Sequence, residues 1–150
     1  MKAVSKIIIA SVVGTTFMTL YSYYRSKKER QQYVEPVLLN KLINRSEILP
    51  GHIADNHPAG WAGHYGTGML FMVSYYLLWQ RALQKPTLAK TLILGAASGL
   101  VAIPAWKIMF TASPNPPANY RYGYYRQLFI AHLVFTMFAL AGYKASDFKR

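Results

Sequence analysis

Four histidines, His52, His57, His64 and His132, are the side chains of this chain best suited to chemistry. Imidazole is the commonest metal ligand in proteins, and its charge changes near neutral pH. Three of the histidines lie in or just before the stretch DNHPAGWAGHYG, and the fourth lies in a later apolar segment. An ionisable group inside an apolar segment marks a candidate site. We therefore consider a divalent metal or a haem bound by His64 and His132.

Other polar and aromatic side chains near these histidines are candidates for the same ligand-binding site. They stand at the start of an apolar segment or in the loop before one: Trp61, Tyr65, Arg121 and Asp55, besides His52 and His57. Counted from one membrane face, His132 lies several residues deeper than His64, so a shared metal requires tilted or offset helices. The alternatives for these two histidines are internal hydrogen bonds, a proton relay or contact with a substrate.

The composition excludes several kinds of reaction site. The chain has no cysteine, which rules out disulfides, thiolate metal sites and cysteine nucleophiles. Its five acidic residues all lie outside the apolar segments, so these segments contain no carboxylate pair for acid and base catalysis. No serine lies in a nucleophile-elbow motif, and no glycine-rich phosphate loop follows a strand. The sequence therefore assigns no reaction.

Long apolar segments must position these side chains. Hydrophobic residues make up 53% of the 150 residues and charged residues 15%. The apolar residues form four blocks, at about 3–24, 60–80, 88–110 and 124–143. Each block is about as long as a helix that crosses roughly 30 Å of hydrocarbon. The sequence predicts an all-α integral membrane bundle of four transmembrane helices, in a single domain over 1–150.

The strong positive charge of the chain favours a membrane surface over nucleic acid. The net charge is +12, and the 17 basic residues lie mainly just outside the apolar blocks. Basic residues in that position interact with anionic lipid headgroups. We therefore expect membrane lipids as partners and no nucleic acid. The basic residues divide evenly between the two sides, so the orientation stays open.

Four crossings would place both termini on one side and the loops 25–58 and 111–123 on the other. All four histidines then lie toward the side of these loops. The first loop contains the segment YVEPVLLNKLINRSE, in which Val34, Leu38 and Leu42 recur at helical spacing and Pro36 suits a first turn. We expect a short amphipathic helix there. The second loop is rich in proline and should be extended.

Small and hydroxyl-bearing residues indicate how the helices pack. In lipid, helices associate through close approach at small residues and through hydrogen bonds between helices. Ser11, Thr15, Thr19 and Ser22 form one stripe on the first segment and should face a neighbouring helix. Gly95 and Gly99 suit close packing within the bundle or self-association with a second copy.

The stretches GWAGHYGTGMLF, QKPTLAKTLILGAASGLVAIPAW and SPNPPANYR, followed by AHLVF, resemble an uncharacterised family of small bacterial inner-membrane proteins. The resemblance covers about residues 48 to 143 and implies a multi-pass protein of the bacterial cytoplasmic membrane. It marks these positions: Trp61, His64, Tyr65, Pro86, Thr87, Pro104, Pro114, Asn115, Pro116, Arg121 and His132. The family tends to carry an aspartate in its first helix, where this chain has Met18 and Thr19, so a mechanism that needs this carboxylate does not transfer.

Two hypotheses about function follow. The first is an accessory or structural subunit, without enzyme activity, that binds lipid or a partner membrane protein. The second is a site on the loop side, built from His64, His132, the 52–57 loop and Arg121, that binds a metal, a haem or an anionic headgroup.

Overall fold

The computed structural model describes residues 2–46 and 52–146, and these form five α-helices and no strand. The helices are α1 (Ala3–Glu29), α2 (Glu35–Arg45), α3 (Pro58–Gln84), α4 (Leu88–Ala112) and α5 (Arg121–Ala145). The all-α prediction is confirmed. The short helix expected in the first loop is α2, and Pro36 lies in its first turn as predicted.

Within the described residues, three helices rather than four are long and apolar enough to cross a membrane: α1, α4 and α5. The prediction of a fourth such helix over 60–80 needs correction. The corresponding helix, α3, is 27 residues long, but its first half carries four glycines and His64. Its backbone also leaves helical geometry at Trp79 (φ −150°, ψ 61°), just before Gln80 and Arg81. These polar and small residues lower its apolar content.

The three apolar helices expose large hydrophobic side chains on their outer faces. The most exposed ones on α1 and α4 include Val4, Leu20, Ile93, Leu100, Val101 and Ile108. A small soluble protein rarely leaves so much apolar surface in water. Contact with lipid would stabilise these side chains, which supports a membrane location.

The described parts of the two loops lie at one end of the bundle, and the start of α1 and the end of α5 lie at the other. At one end, Lys6 in α1 lies over the ring of Tyr143 in α5, 5.6 Å from its centroid. At the other end, which we call the loop end, the Tyr120 N–H donates to Gln31 Oε1 at 2.9 Å, and Arg45 donates to the Asn115 carbonyl. The predicted gathering of the two loops is therefore present in the fold.

The helix α1 packs most extensively against α5 and also against α3. The predicted polar stripe Ser11, Thr15, Thr19 and Ser22 is buried, as expected. At Gly68 in α3, an added β-carbon would collide with Thr15 Oγ1, so only glycine permits this approach of α3 to α1. The contact brings the backbone of α3 close to α1.

Gly95 and Gly99 pack against α5 of the same chain. A β-carbon would come within 2.9 Å of Leu133 at Gly95 and within 2.8 Å of Phe129 at Gly99. These glycines therefore serve the interface between α4 and α5. Self-association through them stays a prediction, and it would require displacement of α5.

One asparagine joins α2 to the start of α3. The Nδ2 of Asn40 donates to the carbonyls of Asp55 at 2.8 Å and His57 at 2.9 Å, while its Oδ1 accepts from the Gly60 N–H at 2.8 Å. The first N–H groups of a helix lack partners within the helix, so Asn40 satisfies one of them. α2 is thereby held against α3 at the loop end.

Candidate functional site

A cavity of about 500 Å³ lies between α3 and α4, with α1, α2 and α5 behind it. Its mouth is on the outer surface of the bundle, where the lining residues Leu70 and Val101 are 69% and 61% exposed. The cavity exists because α3 and α4 pack against each other far less than α4 packs against α5. Most of its wall is apolar, including Met18, Phe71 and Trp106. Its volume lies in the range of small-molecule sites.

Four polar side chains line the cavity and are themselves buried. They come from four different helices: Thr15 of α1, Glu35 of α2, His64 of α3 and His132 of α5. Each is at most 6% exposed. The fold therefore brings together the two histidines singled out in the sequence and adds two side chains that were not among the predicted site residues.

Hydrogen bonding fixes the tautomer of His132. Its Nδ1 lies 2.9 Å from the carbonyl oxygen of Leu128, one turn earlier in α5. A carbonyl oxygen accepts but does not donate, so Nδ1 carries the proton. The Nε2 atom of the neutral ring then bears a lone pair and is an acceptor.

The tautomer of His64 follows from its bond to Thr19. The Thr19 hydroxyl donates to the Thr15 carbonyl at 2.7 Å, and its Oγ1 lies 2.9 Å from His64 Nε2. The threonine proton is already used, so His64 Nε2 donates to Thr19 Oγ1. The Nδ1 atom of His64 is then an acceptor. Both rings therefore supply an unprotonated nitrogen.

Glu35 is the buried carboxyl group of the site. Its Oε1 accepts from Ser22 Oγ at 2.8 Å and from Gln127 Nε2 at 3.3 Å. Its Oε2 and the Oγ1 of Thr15 are buried without a hydrogen-bond partner among the described residues. Burial raises the pKa of Glu35 from 4.5 to about 7, although hydrogen bonds from its own backbone, Ser22 and Gln127 oppose this rise. Near neutral pH this carboxyl group therefore exists in both protonation states.

Glu35 was missed in the sequence because it lies outside the apolar segments. A signal was present, since Glu35, Leu38 and Leu42 share one helical face at spacings of three and four residues. All three are buried in α2. A glutamate on the apolar face of an amphipathic helix is a candidate for a buried functional group.

The other predicted site residues lie outside the cavity. The Tyr65 hydroxyl pairs with Thr16 Oγ1 at 2.9 Å, and its ring lies 6.5 Å from that of Trp61. The guanidinium of Arg121 lies 3.7 Å from the centre of the Phe110 ring and donates to the Pro117 carbonyl. These bonds hold the three side chains in structural contacts at the bundle surface.

The histidines and the aspartate of the first loop are also outside the cavity. His57 is the N-cap residue before α3, and its Nδ1 accepts from the Ala59 N–H at 3.1 Å. Asp55 forms an ion pair with Lys41 at 2.9 Å, and His52 is exposed. Helix capping explains the position of His57, and the surface ion pair explains that of Asp55.

Metal binding has no cluster of ligands to support it in the part of the chain that is described. Residues 2–46 and 52–146 contain no group of three or more histidine, aspartate or glutamate side chains placed to hold a metal ion. Structural and catalytic metal sites usually use at least three protein ligands. The metal and haem hypotheses for His64 and His132 therefore stay predictions.

The candidate site is thus an apolar cavity, open at the bundle surface, with hydrogen-bonding groups buried at one part of its wall. Comparisons of the chain with protein-family models, with curated proteins and with solved structures find no match.

Proposed function

We propose that this chain is an integral membrane protein that binds a lipid-like molecule in the cavity between α3 and α4. The observation that carries the proposal is the cavity itself, about 500 Å³ in volume and lined mainly by apolar side chains. Sites for small ligands combine such walls with a few polar groups that orient the ligand. The protein would act by holding this molecule, as an accessory subunit, and not by chemical catalysis.

The position of the mouth supports a lipid as the occupant. Leu70 and Val101 flank the mouth on the outer faces of α3 and α4, and α4 is one of the three apolar helices. The outer surface around the mouth would lie against the hydrocarbon of the bilayer if α4 crosses the membrane. An apolar ligand would therefore meet the mouth directly. The family resemblance supports the cytoplasmic membrane of a bacterium as the location.

An anionic headgroup is a weaker candidate for the occupant. Among the described residues that line the cavity there is no lysine or arginine. Arg121, the cation proposed for this role from the sequence, lies over Phe110 instead. A buried negative charge without a positive partner is costly, so the wall favours an uncharged molecule.

The proposal is tested by filling the cavity at a glycine that permits it. Gly63 lines the cavity, and a β-carbon there would meet Leu39 Cδ1 at 3.5 Å, an ordinary contact. The substitution Gly63→Leu therefore adds volume inside the cavity without disturbing the backbone. Gly66→Leu, on the same helix, is the matched control, because its β-carbon would meet no described atom within 4 Å apart from its chain neighbours and the adjacent backbone of α3, and Gly66 does not line the cavity.

The measurement is the amount of lipid that co-purifies with each protein in mild detergent, by native mass spectrometry and by solvent extraction. We expect the wild type and Gly66→Leu to carry bound lipid and Gly63→Leu to lose most of it. Equal lipid in all three proteins would overturn the assignment to this cavity. A wild type that carries no lipid, even after incubation with a total lipid extract, would overturn the proposed function.

A further inference from the structure

The cavity wall has a polar part whose hydrogen-bonding capacity is not used within the described chain. The Oε2 of Glu35 and the Oγ1 of Thr15 have no hydrogen-bond partner among the described residues. Both residues are buried, each with 1% of its surface exposed. A buried polar atom left without a partner costs free energy. Both residues line one cavity, so a polar ligand group beside this part of the wall would meet hydrogen-bonding capacity that the described chain leaves unused.

The two histidines add acceptors to the same wall. Each uses one ring nitrogen as a donor, His64 to Thr19 and His132 to the Leu128 carbonyl. The remaining nitrogens, Nδ1 of His64 and Nε2 of His132, can only accept while the rings are neutral. A ligand group that fits them must donate a hydrogen bond.

The other polar atoms require a different property of the ligand. The Thr15 hydroxyl donates and accepts, and a protonated Glu35 carboxyl donates through Oε2. A ligand group that both donates and accepts therefore matches this part of the wall best. A hydroxyl group has one donor and two acceptor positions, whereas an ether, an ester or a ketone oxygen only accepts.

The charge of the cavity wall further restricts which class of ligand can bind. The described lining residues include Glu35 as their one acidic side chain and contain no lysine or arginine. A phosphate headgroup would lie beside this carboxyl group without a neutralising cation. An uncharged headgroup avoids this cost.

We infer that the cavity binds an uncharged lipid with a free hydroxyl group, which donates one hydrogen bond to His132 Nε2 and accepts from the polar groups of Thr15 or Glu35 on the same part of the wall. The lipid chain lies along the apolar wall beside Met18, Phe71 and Trp106 and leaves through the mouth. A long-chain alcohol or a diacylglycerol has this chemistry. The inference rests on the proposed function, because it names the class of lipid that the cavity selects.

The test compares three ligands with the same acyl chains in the full-length protein in nanodiscs. They are a diacylglycerol with a free hydroxyl group, its methyl ether and the corresponding phosphatidic acid, each measured by competition against a fluorescent diacylglycerol. We expect the diacylglycerol to bind about tenfold more tightly than the methyl ether, the ratio that about one net hydrogen bond gives. Phosphatidic acid should bind more weakly than the diacylglycerol.

The variant His132→Phe distinguishes a ligand contact from a structural role. Phenylalanine keeps an aromatic ring beside Phe71 but removes Nε2. We expect this variant to bind the methyl ether as the wild type does and to lose the preference for the free hydroxyl group. If His132→Phe does not yield folded protein, Thr15→Val tests the accepting side of the ligand hydroxyl, at a threonine hydroxyl without a partner in the described chain. Its loss should weaken the diacylglycerol and the methyl ether alike, because both oxygens accept a hydrogen bond, and unchanged binding of both would overturn this contact.

Each outcome bears on one of the two proposals. Equal affinity of the wild type for the diacylglycerol and its methyl ether would overturn the hydroxyl inference and leave lipid binding intact. Tighter binding of phosphatidic acid would show an anionic headgroup site instead. Failure of all three lipids to compete would count against the proposed function itself.

Discussion

The Nε2 atom of His64 lies 2.9 Å from Oγ1 of Thr19, and this hydrogen bond joins α3 to α1 inside the bundle. The Thr19 hydroxyl donates its own hydrogen bond to the Thr15 carbonyl at 2.7 Å, so the three residues form a directed chain of hydrogen bonds. The bond has two consequences. It holds α3 in place, and it sets which nitrogen of His64 is left as an acceptor at the cavity.

We expect the substitution Thr19→Val to destabilise the protein. Valine matches threonine in shape but cannot accept from His64 Nε2–H, so a buried donor loses its partner. The cost should be about 1–3 kcal/mol. The measurement is the midpoint of thermal unfolding in detergent. The control is Thr111→Val, because the Thr111 hydroxyl is exposed and bonds the Lys107 carbonyl of its own helix. Equal midpoints for the two variants would contradict the role given to Thr19.

A second prediction concerns pH and the buried carboxyl group of Glu35. Its pKa is about 7 in the folded chain against an ordinary value of 4.5, so the folded state keeps its proton where the unfolded state has released it. The stability that this proton supplies is therefore complete below about pH 4.5 and is lost as the pH rises through about 7. The difference in pKa corresponds to roughly 3 kcal/mol.

Melting curves of the wild type and of Glu35→Gln between pH 4.5 and pH 8.5 check this prediction. The glutamine keeps an oxygen for Ser22 and Gln127 but does not titrate. The wild type should lose stability toward high pH, and the variant should lose much less. A parallel decline in both proteins would assign the pH dependence to other groups.

A third prediction follows from the close approach of α3 to α1 at Gly68. Gly68→Ala should destabilise the fold by about 1–3 kcal/mol, because its β-carbon would collide with Thr15 Oγ1. Gly66→Ala, which meets open space, should be neutral or stabilising by up to about 1 kcal/mol. Thermal unfolding of both variants checks the difference.

The double variant Gly68→Ala with Thr15→Ala identifies the cause of this effect. Removal of the threonine hydroxyl relieves the collision, so the double variant should be more stable than the sum of the single changes predicts. Simple additivity would show that the Thr15 hydroxyl does not limit the approach of α3.

A fourth prediction tests the two ends of the bundle. The chain has no cysteine, so single cysteines can be labelled without a background. Ala54→Cys and Ala118→Cys, both exposed and at the loop end, should react with a membrane-impermeant maleimide from the same side of the membrane. Ala145→Cys, at the other end of α5, should react from the opposite side. Labelling of positions 54 and 118 from different sides would contradict the arrangement.

The sequence predicted the elements that depend on local patterns. The helices α1, α4 and α5 follow from long apolar runs, and α2 follows from Pro36 and the spacing of Leu38 and Leu42. His64 and His132 could be placed in one region because the helices alternate in direction. These predictions use composition and periodicity, which the chain carries locally.

The rest depends on contacts between distant segments. Glu35 is buried because Ser22 of α1 and Gln127 of α5 meet it, and no local pattern shows that meeting. Arg121 was predicted to serve the site, but the ring of Phe110 and the turn before α5 hold it elsewhere. The choice between such competing contacts is made only in the packed bundle.

The position of the cavity mouth determines what controls its occupancy. Leu70 and Val101 place the mouth on the side of the bundle, between two helices, and not at an aqueous end. In a bilayer, the lipid ligand would enter laterally between α3 and α4 and would stay within the hydrocarbon region. Occupancy of the cavity should therefore depend on the mole fraction of the ligand among the surrounding lipids and not on the volume of the aqueous phase.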